Sequence, residues 1–297
     1  MTTCAYCGTN PPIENSHVVP AFIVRHLKKN NPEKFIMNSW ALRKNQDALK
    51  GPYLCGTCDN VTFSAWESHF KRAVFDPVLD GKAAAWSDEA SIRFLLAVVF
   101  RYMVHFLETS PVDANREQNA DFRDFTKEAL ADPTVVGANL FVYPYQYRPI
   151  VSECGFIPGV NHFLQLSFHC VTLPAEDNLP RAVALFLPEI IVLMTDKCLA
   201  ELPGCDLVNP ESLTLGSTID FASANLAMPE FLRVLINRGV GQTMANQKTA
   251  GLWGEIDYDG DKLAHPDRQF YIALARDSEL QAWQRSNCRN GDDGGSQ

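Results

Sequence analysis

The chain has no apolar run of eighteen or more residues. Its longest candidate, Ile92 to Phe106, is interrupted by Arg93, Arg101 and His105, and it falls short of the ~20 residues that a bilayer-spanning helix needs. At the start, Met1-Thr2-Thr3-Cys4 shows no basic residue followed by an apolar stretch, so no secretory leader is expected there. A Gly-rich phosphate loop is missing too, which argues against nucleotide hydrolysis. Nor is there an internal repeat, which argues against a solenoid. Of the nine cysteines, five (Cys154, Cys170, Cys198, Cys205 and Cys288) follow no framework spacing, so a disulfide-stapled secreted fold is not expected. The expectation from these absences is a cytoplasmic chain, not engaged with a membrane, whose thiols stay reduced.

The 297 residues carry a formal charge of −9, and it is unevenly spread. Residues 1–80 hold nine Lys/Arg against seven Asp/Glu, while residues 81–297 hold seventeen against twenty-eight. A mildly basic head admits a polyanion, and the acidic remainder disfavours one.

What the chain does have is a split pair of cysteine knuckles, Cys4-Ala-Tyr-Cys7 and Cys55-Gly-Thr-Cys58. Each places two sulfurs on one tight turn, and two such turns complete a closed tetrahedral thiolate site for zinc with no open position. A closed site is structural: it staples a domain too small to bury enough core alone.

Between the knuckles, residues 13–24 read as a short strand turning at Pro20, and residues 25–32 as a basic, polar turn. A second strand is expected over residues 34–42, and a polar loop over 43–51. From Phe63 the apolar residues Phe63, Trp66, Phe70, Val74 and Phe75 fall at helical spacing. The order is therefore knuckle, strand, strand, then a knuckle opening a helix, which is the order of a treble-clef zinc domain.

Within that frame, Ser16-His17-Val18-Val19-Pro20, an asparagine in the following loop, and Leu54-Cys55-Gly-Thr-Cys58 resemble the zinc-bound HNH (ββα-metal) nucleases. Those carry a histidine followed by two aliphatics and a proline, then Asn, then Leu-Cys-x-x-Cys-His. The resemblance covers about residues 4–75. It implies one-metal phosphodiester hydrolysis of DNA or RNA, with Mg²⁺ or Mn²⁺ as the catalytic ion beside the structural zinc. It places His17 as general base, Asn45 as the asparagine holding the histidine strand, and Asp59 or Asn60 as the helix ligand to the ion. The sequence departs from the pattern at Ser16, where an Asp or His ligand often stands, and at Asp59, in the place of the last histidine. If the ion is recruited, Asp59, Asn60 and Glu14 are the oxygen donors on hand. If it is not, His17 is a structural residue, and the domain is a zinc-stabilised module that binds nucleic acid or a protein without cutting.

Past Asp76-Pro77 and Asp80-Gly81 a domain boundary is expected near residue 80. Ser87 reads as the N-cap of a long core helix to about Glu108. An amphipathic helix follows over residues 114–130. Strands are expected over 139–147, 162–173 and 182–194 (the last broken at Pro188), and a helix over 228–238. Helices, then strands, then helices give an α+β class: an HNH-like zinc domain over 1–80, an α+β domain over 81–286 and a disordered tail over 287–297. By analogy, a nuclease head on an acidic body is the plan of a bacterial defence or toxin-like effector. The body lacks a basic stripe, so a protein partner or an oligomer is expected to help it reach nucleic acid.

Other candidates are weaker. Asp257-Tyr-Asp259-Gly-Asp261 lacks the Gly and Glu positions of a calcium loop. His162 and His169 are seven apart, on opposite faces of a strand. Trp66 and Phe70 are expected to pack the helix against the body rather than to stack bases.

Overall fold

Along the part of the chain that the computed structural model describes, short strands and α1 come first, a run of helices follows, and the longer strands come last. It describes residues 2–30, 36–38, 43–45, 48–80, 82, 84–85, 88–109, 116–133, 140–143, 167–173, 182–188 and 190–195; of 30, 36–38, 43–45, 118, 140–143, 167, 169, 171 and 173 only the backbone is described. The class is mixed helix and strand, with the four-cysteine cluster at the N-terminal end. The expected helix over 228–238, the tail and the Asp257–Asp261 turn lie outside the described residues.

Strand β1 (Ser16–His17) is two residues long, and helix α1 (Ala21–Asn30) follows it where a strand and a turn were expected. Ile23 and Val24 are β-branched, which suggested a strand. Helix wins because a 3.6-residue period gathers Phe22, Ile23 and Leu27 on one buried face. Pro20 starts it, its carbonyl accepting from the N–H groups of Ile23 and Val24, and Lys28 and Lys29 in the last turn suit the negative end of the helix dipole.

The expected second strand shortens to β2 (Ile36–Asn38). The expected polar loop instead contains β3 (Arg43–Asn45) and β4 (Lys50–Gly51). β1 pairs antiparallel with β4, Ser16 opposite Gly51 and His17 opposite Lys50. β2 and β3 leave that pair and join a six-stranded sheet.

The helix after the second knuckle begins earlier than Phe63 and is not uniform. A π-helical stretch, Cys58–Phe63, leads into α2 (Ser64–Phe70), a second π-helical stretch, Lys71–Phe75, and α3 (Asp76–Leu79). The second π stretch has an identifiable cause. Pro77 has no N–H to offer and would crowd the carbonyl four residues back, on Ala73. The Ala73 carbonyl takes the N–H of Ala85 instead.

Helix α4 (Glu89–Thr109) is buried along nearly its whole length. By length and composition it is able to cross a membrane, which the count from Ile92 to Phe106 had excluded; 83% of its apolar window lies inside the fold. Its N-cap is Asp88, not Ser87: Asp88 Oδ1 accepts the N–H of Ser91 at 2.7 Å. Helix α5 (Arg116–Ala131) runs back along it, and the pair exchange arginines at their ends. Arg116 donates to the carbonyl of Leu107, and Arg93 to that of Leu130. Each closes a helix C-terminus with positive charge.

The sheet runs β3-β2-β6-β7-β8-β5, with β5 (Leu140–Tyr143), β6 (Ser167–Leu173), β7 (Ala182–Leu187) and β8 (Ile190–Thr195). β2 meets β6 in parallel, and every other pair is antiparallel. β7 and β8 form a hairpin across Pro188, each residue of both strands buried. Proline cannot donate to the ladder, so it ends the strand there.

One apolar core runs across residue 80. Phe94 of α4 stacks on Phe70 at 4.1 Å between ring centroids and touches Phe22. Tyr102 meets Phe168 of β6. Phe70 therefore packs helix to helix, as its spacing predicted, and Trp66 stacks on Phe63 while Arg93 lies over its ring.

Candidate metal centre

The first knuckle turns back on itself through local backbone bonds. Cys4 N–H donates to the Asn10 carbonyl and Gly8 N–H to the Cys4 carbonyl. Gly8 stands at φ 71°, a left-handed conformation that glycine adopts without a Cβ penalty. The second knuckle is brought alongside by two more bonds, Ala5 N–H to the Tyr53 carbonyl and Ile13 N–H to the Leu54 carbonyl. Tyr53 reaches its place only because residue 51 is glycine: a Cβ there would sit 2.3 Å from the tyrosine ring.

The result gathers Cys4, Cys7, Cys55 and Cys58, with all four sulfurs within 4.8 Å of one another. Cys7 Sγ and Cys55 Sγ are 3.8 Å apart. A tetrahedral zinc ion with Zn–S bonds of about 2.3 Å requires sulfurs roughly 3.8 Å apart, so the donor set fits that ion. Cys4, Cys55 and Cys58 are buried and Cys7 faces solvent.

The thiols differ in acidity with their surroundings. The Thr9 hydroxyl, 3.2 Å from Cys7 Sγ, and the neighbouring backbone N–H groups hold that thiol down to about 5. A backbone N–H at Cys58 lowers Cys55 as well. Burial pushes the Cys58 thiol up, and only a cation among the sulfurs would bring it to the thiolate.

Beside this centre stand the other predicted residues. Ser16 Oγ donates to Asp59 Oδ1 at 3.3 Å, joining β1 to the helix turn that begins at Cys58. Ser16 is fully buried, and Asp59 is 9% exposed. His17 is half-buried, and its imidazole makes no hydrogen bond among the described residues. Asn60 and Glu14 are exposed. Asn45 lies on β3, opposite Ile36, in the six-stranded sheet, whereas the strand paired with His17 is β4. The side chain of Asn45 lies outside the described residues.

One participant has no sequence signal. Arg101, 84 positions after His17, donates from Nη1 to the His17 carbonyl at 3.0 Å and to Glu67 Oε1 at 2.8 Å. It is an arginine within an apolar helical run, which read as an interruption. Its place opposite β1 and α2 gives it these partners.

No family model, curated protein or solved structure matches the chain.

Proposed function

We propose that residues 1–80 are a zinc-stapled treble clef of the HNH kind and that the chain is a metal-dependent nuclease. The observation that supports this most is the half-exposed imidazole of His17, which makes no hydrogen bond among the described residues, next to the contact between Ser16 and Asp59. A histidine kept for structure would spend its ring nitrogens on neighbours, whereas a general base keeps one for water. In this reading zinc holds Cys4, Cys7, Cys55 and Cys58 and takes no part in the chemistry. His17 removes a proton from water, the resulting hydroxide adds to phosphorus, and the P–O bond to the leaving oxygen breaks. Asp59, Asn60 and Glu14 would hold Mg²⁺ or Mn²⁺. When bound, that ion supplies neutralisation of the charge on phosphate and leaving oxygen.

A second reading has its own observation. The buried Ser16 hydroxyl already satisfies one oxygen of Asp59, and a hydroxyl is a poor substitute for a carboxylate or imidazole ligand. The module then binds nucleic acid or a protein without cutting it. In either reading the acidic residues beyond 80 suit a partner with a basic surface.

The test is cleavage of plasmid and of single-stranded RNA with Mg²⁺, Mn²⁺ or EDTA, beside His17→Ala. Cleavage that needs the ion and disappears in a folded, zinc-loaded His17→Ala supports the nuclease. Intact substrate under every metal, with His17→Ala of lowered thermal stability, gives the site to the non-catalytic module.

A further inference from the structure

The segment between the cysteine pairs holds more positive charge than its surroundings. Residues 21–50 contain seven Lys/Arg against two Asp/Glu, Glu33 and Asp47, in a chain of net charge −9. Helix α1 shows where part of it is presented. Arg25 and Lys29 are exposed and Lys28 half-exposed, whereas Phe22, Ile23 and Leu27 face the core. Positions i, i+3 and i+4 lie together on one helix face. None of the three cations has an ion pair among the described residues, and α1 contains no acidic residue. The helix starts four residues after His17, and Lys50 stands opposite His17 in the β1–β4 pair.

We infer that the Arg25, Lys28 and Lys29 face of α1 is the docking surface for the phosphate backbone of a nucleic acid, leading that backbone towards His17. The inference rests on the nuclease reading for its direction, but not for the binding itself. Charge complementarity selects the occupant. Arg25 to Lys29 spans about 6 Å of helix axis, which suits a backbone that carries a charge every ~3.4 Å per strand. The surface reads charge and not sequence, since phosphate contacts position a nucleic acid without specifying it.

The test uses the full chain in EDTA, so that nothing is cut, and follows the anisotropy of a short fluorescent DNA duplex, its single strand and the matching RNA strand over a range of salt. The comparison variant is Arg25→Gln/Lys28→Gln/Lys29→Gln, its zinc content and circular dichroism checked against the parent. Each lost phosphate contact reduces the slope of log K against log salt by about 0.9 on duplex and 0.7 on a single strand, so the expected reduction is about 2 to 3. Which probe shows it identifies the preferred acid. An unchanged slope in the folded variant, no binding by the parent, or tighter binding of polyglutamate than of any nucleic acid would each overturn the inference. If the slope falls while plasmid and RNA stay intact under every metal, the surface stands and the nuclease reading fails. If cleavage proceeds with an unchanged slope, the nuclease stands and the surface fails.

Discussion

Arg101 of α4 donates to the backbone carbonyl of His17, and the same nitrogen reaches the carboxylate of Glu67. A guanidinium 1% exposed is thus shared between the strand of the proposed base and the helix that opens at the metal centre, with Glu67 20% exposed. Its Nη2 has no hydrogen-bond partner among the described residues. Removing one member of a buried pair strands the other's charge, so Arg101→Met is expected to destabilise by about 3–5 kcal/mol. Removing both charges also removes their desolvation cost. Arg101→Met/Glu67→Leu is therefore expected to recover much of the loss in urea unfolding. A double variant as unstable as the single one would shift the weight to the His17 carbonyl and away from the ion pair.

The cysteine set makes a prediction about metal. Purified protein is expected to carry one zinc per chain by elemental analysis, and Cys55→Ser to lose it. Zinc binding to thiolates is coupled to folding, so a strong chelator should lower the thermal midpoint and expose four additional thiols to a colorimetric reagent. Full retention of the midpoint after zinc removal would mean that the apolar core, which runs from Cys4 through α4, holds the N-terminal segment unaided.

The parts of this architecture visible in the sequence are those that local chemistry dictates. Two C-x-x-C turns name a metal site wherever they meet, and the dense apolar stretch of α4 announces its own burial. The α1 segment misled because Ile23 and Val24 favour strands while their spacing favours a helix, and tertiary burial of Phe22, Ile23 and Leu27 decided the matter. The cap of α4 was misplaced by one residue, since Ser87 and Asp88 are both good caps and only the carboxylate position separates them. Arg101 and the parallel meeting of β2 with β6 were beyond reach for another reason. Both join residues far apart in the chain, and no local pattern records such a contact.

Acid should loosen the joint between the second knuckle and α4. Tyr53 Oη and His105 Nδ1 are 2.7 Å apart. Burial raises the phenol and lowers the imidazole, which favours the neutral form of both, and in the histidine tautomer with a bare Nδ1 the tyrosine donates to it. Protonated His105 has no nitrogen left to accept that bond. A histidine held below its unfolded value of about 6.5 binds its proton more readily in the unfolded chain. Its contribution is therefore intact above that pH and is lost as pH falls through 6.5 towards the folded value. Burial and Lys29 lower His26 in the same direction. Urea midpoints should decline from pH 7 to pH 5, and His105→Gln, whose amide oxygen still accepts from Tyr53, should flatten that decline. An unaltered pH profile in His105→Gln would assign the acid sensitivity to other groups.

Asp88 offers a cleaner separation of two effects because its two oxygens do different work. Oδ1 caps α4 through the Ser91 N–H, and Oδ2 faces His69 Nε2 at 2.7 Å. The pair with His69 is open to solvent on both sides, at 38% and 29% exposure, and such pairs contribute about 0–1 kcal/mol. The cap satisfies a helix N–H that has no partner within the helix, and its loss costs roughly 0.5–2 kcal/mol. Asparagine preserves the capping oxygen and removes the charge. Asp88→Asn should therefore unfold close to the parent, whereas Asp88→Ala should lose about 1 kcal/mol or more in urea. Equal losses in the two variants would mean that the His69 contact, and not the cap, secures the start of α4. The stakes reach the proposed site, because α4 is the helix from which Arg101 holds the strand of His17.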